Sequence, residues 1–463
     1  MPDTTGPPVA VIGAGPVGLA AAAHLLERGI EPVVLERGTR AGAAVREWGH
    51  VRLFSTWREL VDPAAERLLL PTGWARPEDD RYPTGAQWAD AYLQPLAAAL
   101  GERVRYGTTV TGVARAGRDR VVDSGRAAQP FTVHLAPADG GRIAARAVID
   151  ASGTYATPNP LGADGYPAAG ERALAAEGRI GYRVPDFSDP AVRAVFAGGR
   201  TAVVGAGASA FTALAGLAEL ARAEGGGGTR AVWVLRRGIS GATFGGGDAD
   251  QLPARGALGL AARAAVDEGH AVAVTGFRTV AVERAGEGLV LVSDDGRRTE
   301  PVDRIVVLTG LRPDLTFLSE VRLGLDERLA APTALAPLID PNQHSCGTVH
   351  PHGVDELSHP EEDLFLAGMK SYGRAPTFLA MTGYEQVRSI AAALAGDLES
   401  ARRVELTLPE TGVCGGSGLF DRAAPGDTGT AGGCGAPEPR LVQLGVGAPA
   451  MTETAPPGGC CGS

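Results

Sequence analysis

The apolar positions of the chain repeat one rhythm twice: a short β-rich run, a glycine turn, a long apolar helix pattern and a second β-rich run. In the first copy Pro8–Ile12 is the strand, Gly13-Ala-Gly-Pro-Val-Gly18 the turn, Leu19–Arg28 the helix and Val33–Glu36 the second strand. This order predicts a βαβ unit, because a buried parallel strand reads as a short continuous apolar run and the covering helix as a longer one. The rhythm returns at Arg200–Val204, Gly205–Ala210, a helix to about Arg222, a glycine loop and Ala231–Leu235. Two further runs, Ala147–Gly153 and Asp303–Gly310, end in small residues and read as strands feeding tight turns. The expected fold is α/β with two Rossmann-like domains, the second inserted in a discontinuous first. Residues 1–163 and 301–408 are assigned to the first domain, 164–300 to the second, and 409–463 to a tail.

The tail stands apart by composition, with 14 glycines and 7 prolines among its 55 residues, which favours a flexible segment. A net charge of −10 argues against a nucleic-acid or anionic-membrane partner, whose phosphates call for a basic face. The apolar stretch Val9–Ala23 carries three glycines and Pro16, follows no basic residue, and is too short for a bilayer core of about 30 Å. It is expected to be neither a signal peptide nor a membrane span. Five cysteines in 463 residues, four of them beyond residue 410, make no disulfide framework, and a reducing cytoplasm is the expected location.

The glycine turns carry the first chemistry. Gly13, Gly15 and Gly18 form G-x-G-x-x-G between a strand and a helix: the first allows the tight turn, the second lets a pyrophosphate approach the backbone, and the third lets helix and strand pack closely. Glu36 ends the next strand, where a carboxylate accepts hydrogen bonds from both ribose hydroxyls. The second copy reads G-x-G-x-x-A through Gly205, Gly207, Ser209 and Ala210, and its next strand leads into Arg236-Arg237 in place of an acid. Two guanidinium groups pair with a 2′-phosphate, so this site is expected to take NADPH.

With Ala151-Ser-Gly153 and Thr309-Gly-Leu-Arg-Pro313, these motifs resemble those of the two-dinucleotide-fold flavoproteins: flavin-containing monooxygenases, thioredoxin and glutathione reductases, and mercuric reductase. The resemblance covers residues 8–395 and implies FAD on the first domain, with Gly153 and Gly368 among the cofactor-binding positions, and NADPH on the second. The departures are informative. Residues 1–345 contain no cysteine, which excludes a resident dithiol at the positions the reductases use. The stretch Arg183–Pro190 lacks the glycine and histidine of the usual monooxygenase signature, and the common Gly-Asp appears as Ala367-Gly-Met-Lys370.

The remaining candidates are soft or titratable. Between Leu338 and Gly353 lie His344, Cys346, His350 and His352, with His359 shortly after; the group suits a metalloid or a substrate wall beside the flavin better than zinc, whose ligand spacings it does not match. Cys346, His344 and Lys370 are the candidate catalytic residues. The vicinal pair Cys460-Cys461 resembles the terminal pair of mercuric reductase and, with Cys346, gives possible metalloid ligands; no metal site is expected. Taken with the His-Ser-Cys-Gly-Thr-Val loop, the pattern is similar to the flavoprotein monooxygenases associated with arsenic resistance. That resemblance implies NADPH-dependent transfer of oxygen from a flavin C4a-hydroperoxide to a soft nucleophile, with a trivalent arsenical as the expected substrate and a sulfur compound second. Two alternatives stay open: a flavoprotein reductase acting on a disulfide or thiophilic metal ion through the tail cysteines, and a flavin-carrying metalloid sensor.

Overall fold

The computed structural model describes residues 6–136, 141–223, 227–250, 252–343, 351–376 and 378–406. Five short parallel strands make the first sheet, in the order Leu364–Leu366, Ala147–Asp150, Val9–Ile12, Pro32–Leu35 and Val104–Arg105. Side chains alternate across it, as the period of two demands. Val9 and Val11 pack with the helices Pro16–Glu27 and Ala380–Leu394 on one face, whereas Ala10 and Ile12 pack with a three-stranded antiparallel meander, Val110–Arg115, Phe131–Leu135 and Arg142–Ala145, on the other. Burial on both faces is why the central strands Val9–Ile12 and Pro32–Leu35 are apolar without interruption.

The second body repeats the plan. Its parallel sheet runs Ala271–Val274, Arg230–Val234, Arg200–Val204, Arg304–Val307 and Ile180–Gly181. Val203, Ala231 and Trp233 face the helices Ala208–Arg222 and Pro253–Asp267, and Ala202, Val204, Val232 and Val234 face the hairpin Thr279–Ala285 and Gly288–Ser293. The strand Arg304–Val307 corrects the expected boundary at 300/301: it pairs with Arg200–Val204 inside the second sheet, so the chain leaves this body only after Val307. On the entering side, Leu161 and Ala168 already pack in the second body's core.

The two crossings run side by side. Pro158 and Leu311 form an antiparallel bridge, the Asn159 side-chain amide donates to Thr309 O at 2.9 Å, and Arg312 donates to Asn159 Oδ1 and Gly165 O. Among the described residues no helix is long and apolar enough to cross a membrane.

Candidate functional site

Strand Val9–Ile12 ends at Gly13, whose φ of +101° lies in the region that disfavours side chains and whose added Cβ would meet Ala151 O at 2.9 Å. At Gly18 a Cβ would meet Gly13 O at 2.0 Å, so helix and turn touch backbone to backbone. Gly15 differs from both, with nothing within 4 Å of its Cβ position. It caps the helix Pro16–Glu27, whose first turn holds no acid, leaving an open, positively polarised cradle of the kind that binds a pyrophosphate. Beside the cradle the buried Glu36 carboxylate accepts the N–H of Ala14 at 2.8 Å and of Gly38 at 2.7 Å, one on each oxygen. Each oxygen keeps a second lone pair for a ribose hydroxyl. The residues present fit the adenine dinucleotide half of FAD.

The second turn follows the same construction. Gly205 has φ +138° and a Cβ there would meet Leu308 O at 2.3 Å; Gly207, which caps the helix Ala208–Arg222, is open around its Cβ position. Ala210 stands where the first copy has Gly18 and is fully buried, and Ser209 is exposed in the first helical turn. The indole N–H of Trp233 donates to Gly205 O at 2.8 Å, bracing the turn from the core. Past the strand Arg230–Val234, Arg236 is exposed and Arg237 half-buried. This geometry fits a second dinucleotide with guanidinium groups beside the ribose end.

Two further turns leave the carboxyl edge of the first sheet, the edge at which ligands bind in open α/β folds. Gly153 has φ +70° with open space around it, and Gly368 has φ +69° with Val17 side-chain atoms 3.1 Å from its Cβ position. Behind Gly368 lies a closed polar knot. Gln386 accepts the Gly368 N–H at 2.7 Å and turns its amide nitrogen to Ser371 Oγ at 2.9 Å and His352 Nε2 at 2.8 Å. Tyr372 packs edge-on to Phe378, and burial pushes its phenol up. Sequence alone did not single out Gln386, which occupies an ordinary polar position in a helix.

Lys370 requires a correction. Expected as a catalytic group, it has no exposed surface; its ammonium lies 2.6 Å from Asp150 Oδ2, donates to Ser152 Oγ at 2.9 Å and sits 4.4 Å from the centre of the Phe317 ring. A fully enclosed ammonium does not touch a ligand arriving from solvent. Breaking such a pair from one side leaves a buried charge, at a cost on the order of 3–5 kcal/mol. The expected histidine group is also divided: His352 is buried on Gln386, and His359 is buried against Gly324 O, its imidazole lowered to about 4 by burial. His344, Cys346 and His350, and the tail with Cys460 and Cys461, lie outside the described residues.

Residues 10–223 match the sequence model of the pyridine nucleotide-disulphide oxidoreductase family, which is under half of the chain. Indole-3-pyruvate monooxygenase YUCCA1 of Oryza sativa subsp. japonica is 35% identical over 158 residues, 34% of each chain, so the alignment spans about a third of that relative. Among solved structures, bacillithiol disulfide reductase Bdr of Bacillus cereus superposes with a TM-score of 0.58 at 22% identity, covering 84% of this chain and 99% of that one. The flavin-containing monooxygenase of Stenotrophomonas maltophilia gives 0.51 at 21%, covering 84% and 98%. The fold is that of FAD- and pyridine-nucleotide-dependent oxidoreductases. Within this flavoprotein fold the glycine turns, Glu36 and the Ala151–Gly153 turn stand together at one sheet edge, and the second turn serves its own sheet.

Proposed function

We propose that this chain is an FAD-containing, NADPH-dependent monooxygenase whose substrate is a soft nucleophile, a trivalent arsenical first and a sulfur compound second. The observation that carries oxygen transfer over disulfide reduction is the absence of cysteine from residues 1–345, which include the first turn, Glu36 and the second dinucleotide body. A dithiol relay beside the flavin has no sulfur there to use. The similarity of a third of the chain to YUCCA1, a monooxygenase, supports the same choice.

In this reading the Gly13–Gly18 turn and its helix N-terminus bind the FAD pyrophosphate, Glu36 holds the ribose hydroxyls, and the Gly153 and Gly368 turns border the rest of the cofactor. Gly205, Gly207 and Ser209 hold the NADPH pyrophosphate, with Arg236 and Arg237 at its 2′-phosphate. Bound FAD supplies hydride acceptance from NADPH and activation of O2. A substrate with its own lone pair needs no general base, which agrees with the enclosure of Lys370 and His352. Cys346 and the pair Cys460-Cys461 are the thiols this reading assigns to metalloid capture.

The test is a pair of assays on the full chain: O2 uptake with NADPH in the presence of phenylarsenite, and anaerobic NADPH oxidation with a disulfide. Substrate-stimulated O2 uptake with matching formation of the pentavalent product is the expected result. Faster anaerobic turnover of the disulfide reverses the assignment.

A further inference from the structure

Of the 43 basic residues in the chain, 42 are arginine and one, Lys370, is lysine. Lys370 is thus the one compact ammonium side chain in a chain whose other strong cations are guanidinium groups. An ammonium is compact and donates in three directions, whereas a guanidinium is a planar fork that needs room for its plane. The structure gives Lys370 no such room. Its side chain is fully buried, with Asp150 Oδ2 at 2.6 Å, Ser152 Oγ at 2.9 Å and the Phe317 ring centre at 4.4 Å.

The partners sit on the adjacent strand. Asp150 ends Ala147–Asp150, and Lys370 follows the neighbouring parallel strand Leu364–Leu366, so the pair ties two βα turns across the carboxyl edge of the sheet. Asp150 Oδ1 accepts both the Ser152 N–H at 3.0 Å and the Ser152 hydroxyl at 2.6 Å, which winds residues 150–152 into a tight polar loop. That loop in turn abuts the first glycine turn, where a Cβ on Gly13 would meet Ala151 O at 2.9 Å. Ser152 itself is exposed, so it forms the outer surface of an assembly whose inner charge is sealed.

We propose that Lys370 is a positioning residue that fixes the Asp150–Gly153 turn, through the Ser152 hydroxyl and the Asp150 carboxylate, in the shape on which FAD rests. This rests on the FAD assignment above and specifies how the third turn of that site is held. The ammonium itself does not meet the cofactor. It sets the direction of the Ser152 hydroxyl and leaves the face of the turn to the ligand.

A single lysine makes the test direct. In the full chain labelled with 15N-lysine, Lys370 gives the one side-chain ammonium resonance, and adding FAD to the apoprotein is expected to shift it. Ser152→Ala, an exposed substitution that leaves the buried pair whole, should weaken FAD binding by about tenfold, the equivalent of one lost charge-assisted hydrogen bond. Lys370→Arg keeps the charge but not the shape and should weaken binding at least as much. Adding Ser152→Ala to Lys370→Arg should bring less than the sum of the two losses, because both loosen the same turn. The proposal is overturned if Ser152→Ala binds FAD as the wild type does, or if the ammonium resonance ignores FAD. Failure of the wild type to bind FAD at all would instead strike the assignment of function, and this inference with it.

Discussion

At the first glycine turn the acid that closes the site is buried and held by two backbone N–H groups, whereas at the second the closing residues are Arg236 and Arg237, one exposed and one half-buried. The strands beneath are alike, and both turns put a glycine where a Cβ would strike a neighbouring backbone oxygen. The difference lies in how much ordering is complete before a ligand arrives. Glu36 is already fixed in a dry setting, so binding orders little more of it. The arginines are less enclosed, and immobilising such a side chain costs roughly 0.5–1.5 kcal/mol. The first site suits a ligand that stays and the second one that exchanges, which is the division expected between a prosthetic flavin and a nicotinamide co-substrate.

The strongest way to break this comparison is at Gly18. Gly18→Val places a branched side chain where even a Cβ lies 2.0 Å from Gly13 O, and flavin content measured by absorbance should fall to background. Gly205→Val makes the matching clash with Leu308 O at 2.3 Å, yet the protein should remain yellow. It should lose reduction by NADPH in stopped-flow while keeping reduction by dithionite. If flavin is lost in both variants, the two sites are not independent.

Acid should give the next effect, seated in the first body. Burial lowers His359, in the first body, from 6.5 to about 4. Between those values the unfolded chain binds a proton that the folded one refuses, so stability is full above pH 6.5 and declines as pH falls towards 4, by on the order of 3 kcal/mol. His359→Asn should flatten the urea-midpoint profile between pH 6.5 and 4. An unchanged slope would assign the acid sensitivity elsewhere.

The smallest effect concerns the arginines. Replacing Arg236 and Arg237 with serine should reduce the preference for NADPH over NADH by roughly tenfold in kcat/KM, since about 1.4 kcal/mol is a factor of ten. Flavin content should not change. A wild-type preference for NADH would remove the assigned 2′-phosphate contact.

What the sequence made legible was local. Each glycine turn with its strand and helix lies within about 30 residues, and the need for a small residue at Gly13, Gly18 and Gly205 is written at the position itself. The strand Arg304–Val307 was legible as a strand but not as a member of the second sheet, because every buried parallel strand has the same apolar composition. The meander over 110–145 was missed, since its short strands are separated by charged turns and carry mixed polarity. The Asp150–Lys370 pair joins residues more than 200 positions apart, and no periodicity reports such a contact. One clue was present all the same: a lone lysine among 42 arginines is a compositional exception, and it lies buried behind the Asp150–Gly153 turn.

The paired crossings at Asn159 and Arg312 have a consequence for the order in which the molecule is completed. Synthesis makes strands Val9–Ile12, Pro32–Leu35, Val104–Arg105 and Ala147–Asp150 first, but the edge partner Leu364–Leu366 comes more than 200 residues later. All five strands of the second sheet emerge within that interval, ending at Val307. The body begun second is thus the first to have its full sheet, and on the ribosome the edge of Ala147–Asp150 stays unpaired meanwhile. Asp150, a charge at the end of that waiting edge, is a natural guard against pairing with a stranger before Lys370 arrives.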